Sequence, residues 1–179
     1  MQVLSHRNTE EFVVYKEFNY TYLTPINKYV QGKLEENRWD DYNELYHAIK
    51  LVETVQRAPD LWMETHCLIR QETILGVLLI LGGEIDKIET KYPIPNKNNS
   101  LLLKYFHIIE KGKGYGSHWL NSVVLPYYKE RNYKQIYINS SHVNSFPFYQ
   151  RLGSQIIDYQ QSSDNGLYQR QGKSFLITL

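Results

Sequence analysis

Residues 101–128 read LLLKYFHIIEKGKGYGSHWLNSVVLPYY. The apolar run from Leu101 to Ile109 has the length and the aromatic and branched content of a strand. It runs directly into Lys111-Gly112-Lys113-Gly114-Tyr115-Gly116. Beyond that turn, Trp119, Leu120, Val123, Val124, Tyr127 and Tyr128 fall on one stripe of a helix, with Pro126 expected to kink or fray its last turn. Strand, glycine-rich turn and helix make an α/β unit with a chemical consequence. Glycines at alternate positions let the backbone turn tightly and bring its N–H groups close to a ligand. The helix behind them offers free N–H groups and the positive end of its dipole. With Lys111 and Lys113 beside it, such a turn binds phosphates. Residues 104–134 carry Lys104, Lys111, Lys113, Lys129, Arg131 and Lys134 against only Glu110 and Glu130, so positive charge gathers there.

Working outward, Lys134 to Ser140 reads as a further strand, followed by a short helical stretch from Ser145 to Leu152 that Gly153 stops. Gln155 to Gln160 and Ser174 to Leu179 read as two closing strands joined by a polar loop. Upstream, His66 to Arg70 and Thr73 to Leu81 form a strand pair split by Gln71-Glu72, and residues 86–99, with Pro93 and Pro95, form a loop. Trp39 to Gln56 is an amphipathic helix, with Asp40 and Asp41 in its first turn and Ala58-Pro59-Asp60 as its stop. Glu11 to Phe18 fits either a strand or a helix capped by Asn8. Thr24-Pro25 and Gly32 punctuate the chain after it.

The whole is 179 residues, the size of one domain at roughly 150 residues each. Apolar residues are 42% and charged residues 22%, which excludes fibrous and wholly disordered classes. Twenty Lys plus Arg against 19 Asp plus Glu leave a formal net charge of +1, without the basic excess a nucleic-acid binder uses to displace counterions. The N-terminus MQVLSHRNTEE has no apolar stretch of signal-peptide length, and the run from Ile74 to Leu81 is too short for a bilayer. One cysteine fits a reducing compartment, so the expected setting is cytoplasmic, without membrane or nucleic acid. The six histidines show no His-x-x-x-His spacing, so no metal site is expected.

Spacing narrows the phosphate ligand. A P-loop needs four residues between its glycines and then Lys-Ser or Lys-Thr, which is absent. A dinucleotide fingerprint needs Gly-x-Gly-x-x-Gly, but here the third glycine comes one residue early and Ser117 stands in the glycine position. Lys111-x-x-Gly114-x-Gly116, between a strand and a helix, instead resembles the acetyl-CoA-binding motif of the GNAT N-acetyltransferase superfamily, with Lys where Arg or Gln is usual. Gly114 to Asn121 is similar to the histone-acetylating branch. His142 to Gly153, in which Phe148-Tyr149 precedes the glycine by a few positions, looks like that family's closing segment, with Ser154 where an aromatic is usual.

The resemblance implies a mixed, mainly antiparallel sheet flanked by helices and splayed in a V at the cofactor site. The chain would be one domain, with residues 1–65 a helical acceptor-side region and 66–179 the cofactor-binding core. It implies acetyl-CoA as cofactor, with coenzyme A as product, and an N-acetyltransferase passing acetyl to a primary amine. A small-molecule amine is preferred over a protein, and a homodimer is possible because family members often pair. The main chain at Tyr105 and Phe106 would pair with the pantetheine arm, amides from Gly112, Lys113, Gly114, Tyr115, Gly116 and Ser117 would hold the pyrophosphate, and Asn144, with Ser145 a further candidate, would lie along the pantetheine. Lys111 and Lys113 are candidates for the adenosine phosphates. Tyr149 matches the position that protonates the leaving thiolate.

The family's glutamate base does not carry over, because its neighbourhood reads Asn98-Asn99-Ser100. Glu84 and His107 are candidates by position, and a water chain is a third. Cys67 reads as a core residue. Trp39, Asp40, Asp41, Trp62 and Glu64 are candidates to attract a cationic amine, against an ordinary role on an amphipathic helix. An acyl-CoA sensor without turnover and a nucleotide-binding doubly wound domain are the alternatives; the closing strand pair speaks against the latter.

Overall fold

Leu75 to Leu81 alternates its apolar side chains between two faces, and both are covered: Leu75, Leu78 and Ile80 join one core cluster, while Val77, Leu79 and Leu81 join another. A strand buried on both sides belongs at the middle of a three-layer structure. The computed structural model, which describes residues 1–179, places it there. Eight strands form one sheet in the order β1-β2-β3-β4-β5-β6-β8-β7. They are β1 (Gln2–Arg7), β2 (Glu10–Tyr15), β3 (Leu61–Arg70), β4 (Thr73–Gly83), β5 (Ser100–Ile108), β6 (Gln135–Ser140), β7 (Ser154–Ser162) and β8 (Gln169–Thr178). Only β5 and β6 run parallel; every other neighbouring pair is antiparallel.

One face is covered by α1 (Thr24–Glu35) and α2 (Glu44–Arg57), through Ile26, Ala48 and Val55. The other face is covered by α3 (Tyr115–His118), a π-helical segment (Trp119–Val124) and α4 (Leu125–Glu130), which run on as one rod and bury Trp119, Leu120, Val123, Val124 and Tyr128. Helix α5 (Phe146–Gln150) follows β6. Between α5 and β7 the backbone meets β8 so closely that a Cβ on Gly153 would lie 2.2 Å from the Leu176 carbonyl oxygen. No helix is long and apolar enough to cross a membrane.

Several local expectations are corrected. Residues 1–65 are not helical throughout. Asn8, with φ +56°, is the left-handed turn of the β1–β2 hairpin rather than a helix cap, and β3 begins at Leu61. Pro25 opens α1, and Gly32 sits inside it with open space on its side-chain face. Helix α2 starts at Glu44, capped by the Asn43 side chain, so Asp40 and Asp41 lie in the preceding loop. The distortion expected at Pro126 takes the form of widened π-helical turns just before it, which accommodate its missing N–H, and the helix continues to Glu130.

Candidate active site

Strands β5 and β6 pair over only four residues, Ser100–Leu103 against Gln135–Ile138. The β4–β5 register then slips by one, with the extra residue on β5 and Tyr105 at φ +53°. Such a bulge bends its strand. The end of β5 leaves β6, which stays with β8 as far as Ser140, and a V opens between them. Two cavities meet in the V and share Phe106, His107, Ser141, His142 and Ser145 as lining. The outer cavity, about 690 Å³, is lined by Tyr29, Arg38, Lys111, Asn144 and Arg170 among others. The inner one, about 160 Å³, reaches Tyr42, Glu44, Lys91, Lys104, Tyr149 and Tyr159.

At the mouth, Gly112 and Gly114 have φ of +80° and +71°, a region that side chains rarely enter, and Gly114 caps α3 in that conformation. A Cβ on either would meet nothing within 4 Å, so the turn leaves open space beside its backbone. The ends of the turn are clamped by Arg70, whose guanidinium donates to Glu110 at 2.7 and 3.1 Å and to the Tyr115 hydroxyl at 2.8 Å. Tyr115 in turn donates to Glu10 at 2.8 Å. Arg70, with Lys113, holds the Glu110 carboxyl down at about 2.

The expected cofactor residues thus divide. Tyr105 and Phe106 line the V, and Lys111 and Asn144 line the outer cavity, with the Lys111 ammonium 5.4 Å from the Tyr29 ring centroid. The side chains of Tyr115 and Lys113 turn away, Tyr115 to Glu10 and Lys113 to Glu110 at 2.8 Å, so these residues face the turn with backbone alone. Gly116 packs against Ile108 and Phe106, and the Ser117 hydroxyl accepts from Asn121.

The opposite wall carries side chains. Tyr149 lines the inner cavity, makes no hydrogen bond to protein through its hydroxyl, and is kept protonated by burial. His107 lines both cavities; burial pushes its pKa down to about 3, helped by His142 and Lys111. Burial likewise takes His142 down to about 4, helped by Lys33 and Lys111. His142 Nδ1 lies 3.5 Å from the Tyr29 hydroxyl and Nε2 lies 3.9 Å from Glu44 Oε1. Glu44 is 1% exposed, and its carboxyl is pushed up by burial against the opposing pull of Lys33. Lys33 Nζ stands 2.6 Å from Glu44 Oε2, yet its hydrogen bonds of good geometry go to Asp40 and the Tyr42 carbonyl. Both Glu44 oxygens are therefore left without a well-aligned donor. Arg170 pairs with Asp40 and stacks over Tyr42. The loop after β7 closes this wall: Asn165 N–H donates to Asp41 at 2.7 Å, and His47 contacts Asp164 at 2.7 Å.

Of the acidic and aromatic candidates, Asp40 reaches the outer cavity. Asp41 holds the β7–β8 loop, and Trp39 lies against Lys33. Trp62 and Glu64 serve the other face. Tyr128 donates to Glu64 at 2.7 Å, Arg131 donates to the same carboxylate, and Trp62 lies beneath Arg131. Glu84 pairs with Lys97 outside both cavities, so of the two positional base candidates only His107 reaches the site. Cys67 is buried, its thiol pushed up to about 12 by burial. Sequence reasoning missed the roles of Tyr29, Glu44, His142, Arg170 and Lys104. The available signal was His142 at the head of the closing segment.

No protein-family model matches the sequence, and no curated protein matches it. Solved structures do. A Staphylococcus epidermidis protein described as a probable acetyltransferase superposes with TM-score 0.65 at 10% identity, covering 94% of this chain and 98% of its own. A Salmonella typhimurium acetyltransferase that modifies the N-terminal serine of ribosomal protein L7/L12 gives 0.62 at 14% identity, covering 99% of both. A second Salmonella typhimurium protein, described as an acetyltransferase and solved with its cofactor acetyl-CoA, gives 0.57 at 10% identity over 94% of both. The chain therefore has the GNAT acetyltransferase fold.

Proposed function

We propose that this protein transfers an acetyl group from acetyl-CoA to a small primary amine, by direct attack with both substrates bound. The observation that carries the reading is the pair of adjoining cavities in the V, with Lys111, next to the left-handed glycine turn, on the lining of one and a buried carboxylate beside an imidazole on the lining of the other. Acetyl-CoA, when bound, would supply the activated acetyl thioester. Amides from Gly112 to Ser117 would hold its pyrophosphate, Lys111 would add charge, and the unpaired edge of β5 at Tyr105 and Phe106, with Asn144 opposite, would flank its arm.

His142 is neutral at pH 7 and faces both cavities, so its ring nitrogen is free to take a proton. As the amine nitrogen bonds to carbon it becomes acidic, and a weak base then suffices. Glu44 Oε1 lies 3.9 Å from His142 Nε2. Tyr149, protonated and free of protein partners, donates to the departing sulfur. Cys67 is too buried to act as a nucleophile. The open inner cavity favours turnover over a non-catalytic sensor, in which the amine side would be plugged.

Isothermal titration with acetyl-CoA and, in parallel, NADH tests the cofactor, and thiol release across a panel of amines tests the transfer. Binding of acetyl-CoA alone, followed by amine-dependent thiol release, is the expected result. Binding without release by any amine would favour the sensor, and binding of neither cofactor would overturn the proposal.

A further inference from the structure

This inference rests on the acetyl-transfer reading and concerns what the amine must carry besides its nitrogen. The end of the inner cavity away from the outer mouth is lined by Lys91, Lys104, Tyr159 and Gln161. Lys104 leaves β5 immediately before the bulge, which aims it at the same cavity as Tyr105 and His107. Its ammonium is 3.7 Å from Glu89 Oε2, and that of Lys91 is 3.5 Å from Glu89 Oε1. Glu89 is buried and otherwise engaged: it accepts the Lys91 backbone N–H at 2.9 Å and the Asn139 side-chain amide. Two ammonium groups thus share one carboxylate whose lone pairs are largely committed. Both contacts lie at or beyond the outer limit of hydrogen-bond reach.

Lys104 keeps 21% and Lys91 36% of its side chain exposed, so both ammonium groups are open to an anion entering the cavity. Among the side chains lining the inner cavity Glu44 is the one carboxylate; it lies beside His142 and has Lys33 and Arg170 next to it. Ammonium groups thus gather at Lys91 and Lys104 around Glu89, while the carboxylate beside the neutral His142 is already shared with Lys33 and Arg170. We propose that the inner cavity takes a small amine that also bears a carboxylate, such as an amino acid or short aminoalkanoic acid. Its anion would sit on Lys104 and Lys91, and its amine would turn toward Glu44 and His142. Tyr159, which lies against Lys91 with a ring-to-ammonium distance of 5.1 Å, would form the floor beneath the anion.

The test is equilibrium binding, which needs no turnover. L-alanine, β-alanine and 4-aminobutyrate, each against its own carboxamide, would be titrated into the whole protein with and without saturating coenzyme A. At least one acid is expected to bind tenfold or more tighter than its amide. K104M and K91M should each remove most of that preference, and K104R should restore part of it. Both methionine variants should bind acetyl-CoA within twofold of the parent, which separates failure of this inference from failure of the acetyl-transfer reading. Because Lys104 packs beside buried Glu89 and its loss puts folding at risk, the more exposed K91M decides the question by itself. Acids binding no tighter than amides, no acid binding at all, or an acid preference that survives K91M would overturn the proposal.

Discussion

The two walls of the cleft are made of different material. The wall facing the outer mouth is one continuous segment, from Tyr105 through the glycine turn to Ser117, and it works through backbone: an unpaired strand edge, left-handed glycines and helix amides. The opposite wall draws Tyr29 and Lys33 from α1, Asp40 and Glu44 from the α1–α2 loop and the start of α2, His142 from the segment after β6, and Arg170 from β8. It works through charge and through the His142 imidazole, kept neutral by burial and facing His107 of β5 with ring centroids 6.2 Å apart. A backbone wall tolerates side-chain change except where a glycine is required. A wall of interlocked charges depends on each member, because removing one leaves another buried and unpaired. Substitution should therefore separate the two walls by readout.

The largest effect is expected on the backbone wall. Valine in place of Gly114 would be forced to φ near +71° and would fill the open space beside the turn. Acetyl-CoA affinity should fall by about 100-fold or more, read by titration calorimetry with circular dichroism to confirm folding. If G114V binds as the parent does, the turn is not the phosphate site. On the charged wall, H142A should lower kcat by about 100-fold, the scale of a lost general base, with acetyl-CoA affinity unchanged. A KM effect alone would make His142 a binding residue. Y149F should cost about tenfold in kcat without changing either KM, and parent-like turnover would remove Tyr149 from the chemistry.

The charged wall should also show in the pH dependence of stability. His107 and His142 titrate near 3 and 4 in the folded protein against 6.5 when unfolded, and His66, buried beside Tyr128, near 3. Between pH 6.5 and 4 the unfolded chain takes up protons that the folded one refuses, so these groups stabilise above 6.5 and lose that contribution on acidification. Thermal unfolding should shift to lower temperature across that window, and less so in H107Q. A curve identical to the parent's would mean that His107 is not kept neutral by the fold. The smallest effects concern the two lysines of the turn. K111A should weaken acetyl-CoA binding by roughly threefold to tenfold at low salt, whereas K113A, exposed and paired to Glu110, should change it by less than twofold. Equal losses would mean that both ammonium groups reach the phosphates.

The same contrast explains what could be read from the chain. The backbone wall is contiguous, so its chemistry lies in spacing: an apolar run, alternate glycines and a helical stripe are each local signals. Spacing also located the doubly buried β4 and the closing segment around Tyr149 and Gly153. The charged wall has no such signature. Glu44 and Arg170 are far apart in sequence, and nothing local distinguishes Glu44, which enters the cavity, from Glu64, which holds Arg131 and Tyr128 on the far face. The first strands were ambiguous for a related reason. Phe12, Val13 and Val14 are all buried, so β2 lacks the polar alternation of a half-exposed strand, and Asn8 serves a left-handed turn as readily as a helix cap.

The central claim is that the V between β5 and β6 is the path of the coenzyme A arm, with the glycine turn at its outer end. Backbone amide resonances followed by NMR during titration with acetyl-CoA test it most directly. The account predicts that the largest shifts fall on Gly112 to Ser117, on Tyr105 to Ile108 and on Ser141 to Ser145, with β1, β2 and α4 scarcely moved. Saturable shifts confined to any other part of the sheet, or none at these three segments, would contradict it.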